Sequence, residues 1–416
     1  MPKIMFNMVT GLRIIGIGLV AACLAGILLM PPASFAQTAS SAPASVPTVR
    51  SAAAALAAGD SKRAETELNA ILQSSPNDIH ALNLLGILRA QQQRNDVAEG
   101  LFKKAISIQP EFAAGHADLG LLYVQTGKDD LAVAELQQSL KLDPGRKDAQ
   151  TALVGIRRGQ ARLAAQSGDL EKALALLIEA RKLDATDPNV QFDFGIVALR
   201  MSLFPDAVDA FDRTLKLRPN DPQALYGLGR AKIALAKFDE AEQVFERYVE
   251  LRPDDASGHY ALGFTLQALQ HADDARAEYE RSITLQTQQT ESYYQLGLMD
   301  LDAGNLRTAA TQFQRVLNRA PQHAGALAGM GRVRFQEKNY EEAASLLSRA
   351  TVANPQMREA HYYLGLTDAR LGRKEDSEKE LAIASQIEHD EVEKHQNMLR
   401  IIDPDQLQAP EHTPNP

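Results

Sequence analysis

Between Ser51 and Ile402 the apolar residues recur at helical spacing, interrupted at short regular intervals. Leu225, Leu228 and Gly229 share one face at i, i+3 and i+4, and Ala241 and Phe245 share a face of the next segment at i, i+4. A glycine breaker such as Gly127, Gly168, Gly304 or Gly372 separates the two segments of some units. Pro219 or Pro253 closes the second segment, because a proline ring has no N–H with which to continue the hydrogen-bond ladder. Runs of strand-forming residues are few. The pattern predicts an all-α chain of antiparallel helix pairs.

The pairs repeat. Gly86 and Gly120 are 34 residues apart, and so are Gly195, Gly229, Gly263, Gly297, Gly331 and Gly365 in succession. An alanine ladder, Ala64, Ala98, Ala132, Ala173, Ala207, Ala241, Ala275, Ala309 and Ala343, keeps the same step apart from one interval of 41. Prolines mark the period as well, and the ladders share a single break of seven extra residues. One helix pair cannot bury both its apolar faces, so the units must stack into a solenoid with nearest-neighbour contacts. A glycine inside a helix costs up to about 1 kcal/mol. Close approach of the second helix is the expected offset, with Ala241 or its counterparts meeting the missing side chain.

The seven extra residues fall between Pro144 and Leu153. Because seven residues are nearly two helical turns, they read as a longer first helix in the fourth unit and as a bend between units 1–3 and 5–10, with an extended loop as the alternative.

Leu225, Leu228, Gly229, Ala241, Phe245 and Pro253 resemble the tetratricopeptide repeat pattern W-x2-L-G-x2-Y…A-x3-F…P, with Leu in the tryptophan slot. Leu82, Leu85, Gly86, Ala98, Phe102 and Pro110 fit it too, as do Tyr293, Leu296, Gly297, Ala309, Phe313 and Pro321. Departures include Ala161 in a glycine slot, Ala185 and Thr287 for proline, and Ser377 for the last alanine. The resemblance covers roughly residues 45–391 and implies a right-handed α-solenoid superhelix of about ten helix pairs. It also implies that partners bind a concave face lined by the first helix of each pair. Carried onto this chain, the groove slots are Phe192, Tyr226, Tyr260, Tyr294, Ala328 and Tyr362, and four places along, Ile196, Arg230, Phe264, Leu298, Arg332 and Leu366. Phe192, Tyr226, Arg230, Tyr260, Phe264, Tyr294, Arg332 and Tyr362 are therefore the candidate partner-binding residues. They suit an extended segment carrying aromatic or aliphatic side chains and a carboxylate; packing between repeats is the competing role for the tyrosines.

The ends differ from the repeats. Lys3 and Arg13 are the only charges in residues 1–36, and Ile14 to Met30 is uncharged and mostly apolar. Ser34, Phe35 and Ala36 follow as a small-residue cleavage signal, so residues 1–36 read as a signal peptide cut before Gln37. A retained N-terminal anchor and processing at Cys23 are the alternatives, the latter opposed by the apolar residues after Cys23. Residues 37–50 read as a disordered Ala/Ser/Pro linker, 51–391 as the solenoid, 392–402 as the end of a capping helix and 403–416 as a disordered tail. The expected location is exported, periplasmic or envelope-associated.

The composition narrows the chemistry. The chain is 45% apolar and 23% charged with a net charge of -9, and acids and bases are interleaved, so the basic patch of a nucleic-acid binder is missing. Cys23 is the single cysteine, and no H-E-x-x-H or paired-cysteine spacing supports a metal. His116, His259 and His361 recur at the tryptophan slot and read as packing residues. Asp129 and Asp130, Asp254 and Asp255, and Asp273 and Asp274 look like acid pairs for glycoside chemistry, but their places between helices suit capping. No cofactor is implied and no enzyme is expected. The sequence points to a scaffold that holds a protein or peptide partner on its concave face. A carbohydrate-binding accessory subunit is the alternative, weakened by the absence of Trp.

Overall fold

The computed structural model describes residues 47–402, with side chains placed as far as residue 390. The expected signal segment, most of the expected linker and the expected tail lie outside the described residues. Twenty helices and no strand occur in the described part, and they fall into two compact units that meet at Pro219 and Asn220.

Unit 1 holds five helix pairs: α1 (Val49–Ala57) with α2 (Ser61–Ser74), α3 (Ile79–Gln91) with α4 (Asn95–Ile108), α5 (Ala113–Gln125) with α6 (Asp129–Leu142), α7 (Lys147–Ser167) with α8 (Leu170–Leu183), and α9 (Pro188–Arg200) with α10 (Phe204–Leu217). Unit 2 holds five more: α11 (Pro222–Ala234) with α12 (Phe238–Leu251), α13 (Ala256–Ala268) with α14 (Ala272–Leu285), α15 (Thr290–Asp302) with α16 (Leu306–Arg319), α17 (Ala324–Gln336) with α18 (Tyr340–Ala353), and α19 (Arg358–Arg370) with α20 (Lys374–Ile402). The extra residues of the fourth pair are helical: α7 has 21 residues where α5 and α9 have 13.

Eight of the ten pairs close on a glycine of the first helix that meets a large side chain of the second. A Cβ added to Gly229 would lie 2.5 Å from the Phe245 ring, one at Gly297 2.6 Å from Phe313, and one at Gly86 2.6 Å from Phe102. Gly120, Gly331 and Gly365 meet a leucine in the same way. The second helix does approach the glycine, but the side chain that fills the gap is the aromatic one turn beyond the alanine, not Ala241. The alanine itself, with Ala98, Ala132, Ala173, Ala207, Ala275, Ala309 and Ala343, is fully buried, because only a methyl group fits under the crossing first helix.

Successive pairs stack chiefly by packing each second helix on the next first helix, and first helices also touch one another. In unit 1, α1, α3, α5, α7 and α9 touch in sequence, and in unit 2 so do α15, α17 and α19. The first helices thus take the inner side of each unit. Aspartates order the helix starts: Asp78 accepts from the N–H groups of His80 and Ala81, and Asp60, Asp169, Asp187, Asp221 and Asp255 cap their helices likewise. The acid pairs belong to this scheme. Asp129, Asp130, Asp273 and Asp274 lie in first helical turns, where a negative charge meets the positive end of the helix dipole.

Every turn inside a pair contains one residue in the left-handed region. Five are glycines (Gly59, Gly127, Gly168, Gly304 and Gly372), and five are not: Gln93, Ser202, Ala236, Gln270 and Lys338. A side chain there costs roughly 1–2 kcal/mol. Ala236→Gly relieves that strain against a smaller entropic loss in the unfolded chain, so urea denaturation is expected to show a gain of about 0.5–1 kcal/mol. Gly304→Ala is expected to show the reverse.

The inner side of unit 1 contains a half-buried carboxylate. Asn83 on α3 donates to Asp118 on α5 at 2.6 Å, while its own Oδ1 has no hydrogen-bond partner among the described residues. Burial pushes the Asp118 carboxyl up to about 6, and the Asn83 donor offsets only part of that. A carboxyl raised by folding contributes stability that is complete below its unfolded pKa near ~4 and is lost as pH rises through about 6. Asp118→Asn is therefore expected to unfold at a higher temperature than wild type at pH 7, and with the same midpoint near pH 4. Thermal melts across that range measure it.

Candidate functional site

The inner face of unit 2 is built from the exposed side of its first helices. Leu225, Leu228 and Gly229 are buried, Gly229 against Phe245 of α12, and Tyr226 lies half-buried at the margin of that contact. Tyr226, Tyr260 and Tyr294 are half-buried, and each lays its ring against an aromatic of its own second helix. Centroids lie 5.8 Å apart for Tyr226 and Phe245, 5.9 Å for Tyr260 and Tyr279, and 6.2 Å for Tyr294 and Phe313. The rings that receive them are the ones that fill the glycine gaps, so the same contact that joins the helices also fixes the tyrosines. Tyr294 reaches further, against His323 at 5.0 Å and over Gly325 of the next first helix. The tyrosines thus pack between helices and still expose an edge. Tyr362 is the most open, 42% exposed and edge-on to Tyr363.

Phe192 lies in unit 1, half-buried against Phe211 at 6.0 Å. Phe264 is half-buried on α13, and the Ala328 slot is closed by a buried methyl group. The two arginines differ. Arg230 is exposed and has no hydrogen-bond or ion-pair partner among the described residues. Arg332 is engaged: it donates to Glu359 at 2.5 Å, stands 3.4 Å from Asp302, and lies 5.0 Å over the Tyr363 ring.

Three acids that the sequence pattern did not single out complete this face. Glu291 and Glu359 both precede a ladder tyrosine by three residues, a recurrence that could have marked them, and Asp302 ends α15. Burial pushes the Tyr294 phenol up to about 12, with Glu359 and Glu291 adding to the rise. Burial, and then Glu291, raises Tyr260 as well. His323, 3.7 Å away, holds the Glu291 carboxyl below its ordinary range.

The recurring histidines are structural. The Nδ1 atoms of His116, His259 and His361 each lie 2.6 Å from a glutamate of the second helix, Glu135, Glu278 and Glu380. Their Nε2 atoms face the carbonyls of Pro110, Pro253 and Pro355 at 3.0, 2.9 and 3.1 Å. Gln191 fills the same slot and donates to the Ala185 carbonyl at 2.8 Å. The slot ties each first helix to its partner and to the preceding turn. No group of three or more side chains able to hold a metal occurs among the described residues.

Comparison with known proteins agrees with this architecture. A family profile for the tetratricopeptide repeat matches residues 50–113, 85–147, 192–256, 294–358 and 330–386, more than half of the chain. Among curated proteins, a human PEX5-related protein is 28% identical over 154 residues, 36% of this chain but 24% of its own length; the mouse protein is 27% identical over 154 residues and 27% of its length. The chain thus spans about a quarter of the curated relatives it matches. Among solved structures, MamA from Desulfovibrio magneticus RS-1 is 25% identical, covering 41% of this chain and 97% of that one, with a TM-score of 0.39. YrrB, described as a TPR protein with an unusual peptide-binding site, is 24% identical, covering 44% and 95%, with a TM-score of 0.37. The 34-residue ladders, the helix pairs and the profile matches together place the chain in the tetratricopeptide repeat family.

Proposed function

We propose that this chain is a non-catalytic protein-interaction scaffold of the cell envelope, which holds an extended segment of a partner protein on the inner face of unit 2. The observation that carries this reading is the row of half-exposed tyrosines, Tyr226, Tyr260 and Tyr294, each braced from behind by an aromatic ring. Rigid aromatic edges offer apolar contact area at low entropic cost, which is the usual character of binding hot spots. Members of the family bind partners on this face. The envelope location rests on residues 1–36, whose apolar run and Ser34-Phe35-Ala36 signal suit export. No helix among the described residues is long and apolar enough to cross a membrane.

Affinity capture from the envelope fraction tests the reading, with partners identified by mass spectrometry. Wild type is compared with Tyr226→Ala/Tyr260→Ala/Tyr294→Ala/Tyr362→Ala and with the pair Tyr226→Ala/Tyr260→Ala alone, both checked for helicity. A partner set that both variants lose by about tenfold or more supports the inner face, equivalent to at least ~1.4 kcal/mol of binding. Undiminished capture by helical variants refutes it. N-terminal sequencing of the exported protein tests the leader: a mature end at Gln37 is expected.

A further inference from the structure

Resting on that reading, we infer that the partner segment is basic, and that a lysine or arginine of it seats between Tyr260 and Tyr294 with its cation against Glu291. Glu291 and Glu359 stand close to Tyr294 and Asp302 stands at the end of the same helix, and among the described residues the guanidinium that meets them is that of Arg332, bound to Glu359 and Asp302. Arg332 is already shared between Glu359 and Asp302, so it offers little to an incoming carboxylate. Glu291 keeps 37% of its side chain exposed, and its carboxylate acts on both flanking phenols. A half-exposed carboxylate one helical turn from a tyrosine ring attracts an ammonium or guanidinium through its charge, and the ring face adds to the attraction.

The fold contains its own example of this grip. In unit 1 the Tyr123 hydroxyl donates to Glu99 at 3.0 Å. The Lys128 ammonium there lies 3.1 Å from the same glutamate and 5.4 Å from the Tyr123 ring centroid. Lys103 joins it at 2.7 Å, and these cations hold the Glu99 carboxyl down to about 2. The Tyr260, Glu291 and Tyr294 group has the same residue types, with His323, at 3.7 Å, as the one cationic candidate on Glu291 among the described residues. The chain's own tail does not fit the vacancy in charge: residues 403–416 carry Asp403, Asp405 and Glu411 and no lysine or arginine. A basic segment of another protein complements it.

Panning a random dodecapeptide phage library on the full-length protein tests this, alongside the four-tyrosine variant, Glu291→Gln and Glu359→Gln, all checked for helicity by circular dichroism. On wild type, enriched peptides are expected to carry Lys and Arg about three- to fivefold above the input library, together with aromatic or aliphatic residues. Glu291→Gln removes the basic excess and keeps the apolar one, and Glu359→Gln, which releases Arg332, shifts it toward acidic residues. Peptides enriched without a basic excess, or with an acidic one, overturn the inference and leave the inner face as the binding site. Equal recovery on wild type and the four-tyrosine variant, including none on either, overturns the binding face and the inference with it.

Discussion

Eight of the ten helix pairs are hung on one steric exchange, the removal of a Cβ from the first helix of a pair and the insertion of a large ring or leucine from the second. At Gly229 the Phe245 ring stands where a side chain would be, and the same exchange recurs at Gly86, Gly195, Gly263, Gly297 and Gly365. The glycine weakens its helix by about 1 kcal/mol, and burying a phenylalanine recovers more than that. Close approach then forces an alanine where the helices cross, and explains why Ala241 and its counterparts are fully buried. The exchange is local to each pair, so it can be repeated without any long-range contact, which is the condition for a solenoid.

The candidate site inherits its rigidity from this exchange. Phe245, Tyr279 and Phe313 are held from one side by glycine backbones and present their other edges to Tyr226, Tyr260 and Tyr294. Packing and exposure are therefore not alternatives for these tyrosines: the ring that stabilises the helix pair also orients the edge that faces outward. The histidine slot works beside it. His116, His259 and His361 bridge a glutamate and a proline carbonyl, which fixes each first helix relative to its second helix and to the turn before it.

Charge gives the inner face of unit 2 its character. Arg332 reads in isolation as a free cation in a groove, yet its two terminal nitrogens face Glu359 and Asp302, from the helices on either side. What remains uncompensated nearby is acidic. In unit 1 the carboxylates are held differently: Asp118 accepts from the Asn83 amide, and Asp193, raised by burial, is held by Arg158 at 2.8 Å. The two units share a backbone plan and differ in what they can attract.

The sequence by itself determined the helix pairs, their 34-residue period, the lengthened α7 and the identity of the small residues, because each follows from interactions within a pair or with its neighbour. Tyr226, Tyr260, Tyr294 and Tyr362 were legible for the same reason, since a fixed slot in a fixed repeat has a fixed direction. Tertiary structure alone decided how those residues are used. The glycine gap is filled by Phe245 and not by Ala241, a matter of reach across the pair. Arg332 meets residues 27 and 30 positions away, and Glu291 acts on the preceding repeat's Tyr260, so their roles depend on how one first helix sits on the next. Those distances are set by packing between repeats, and a pattern read along the chain carries the period of that packing but not its geometry.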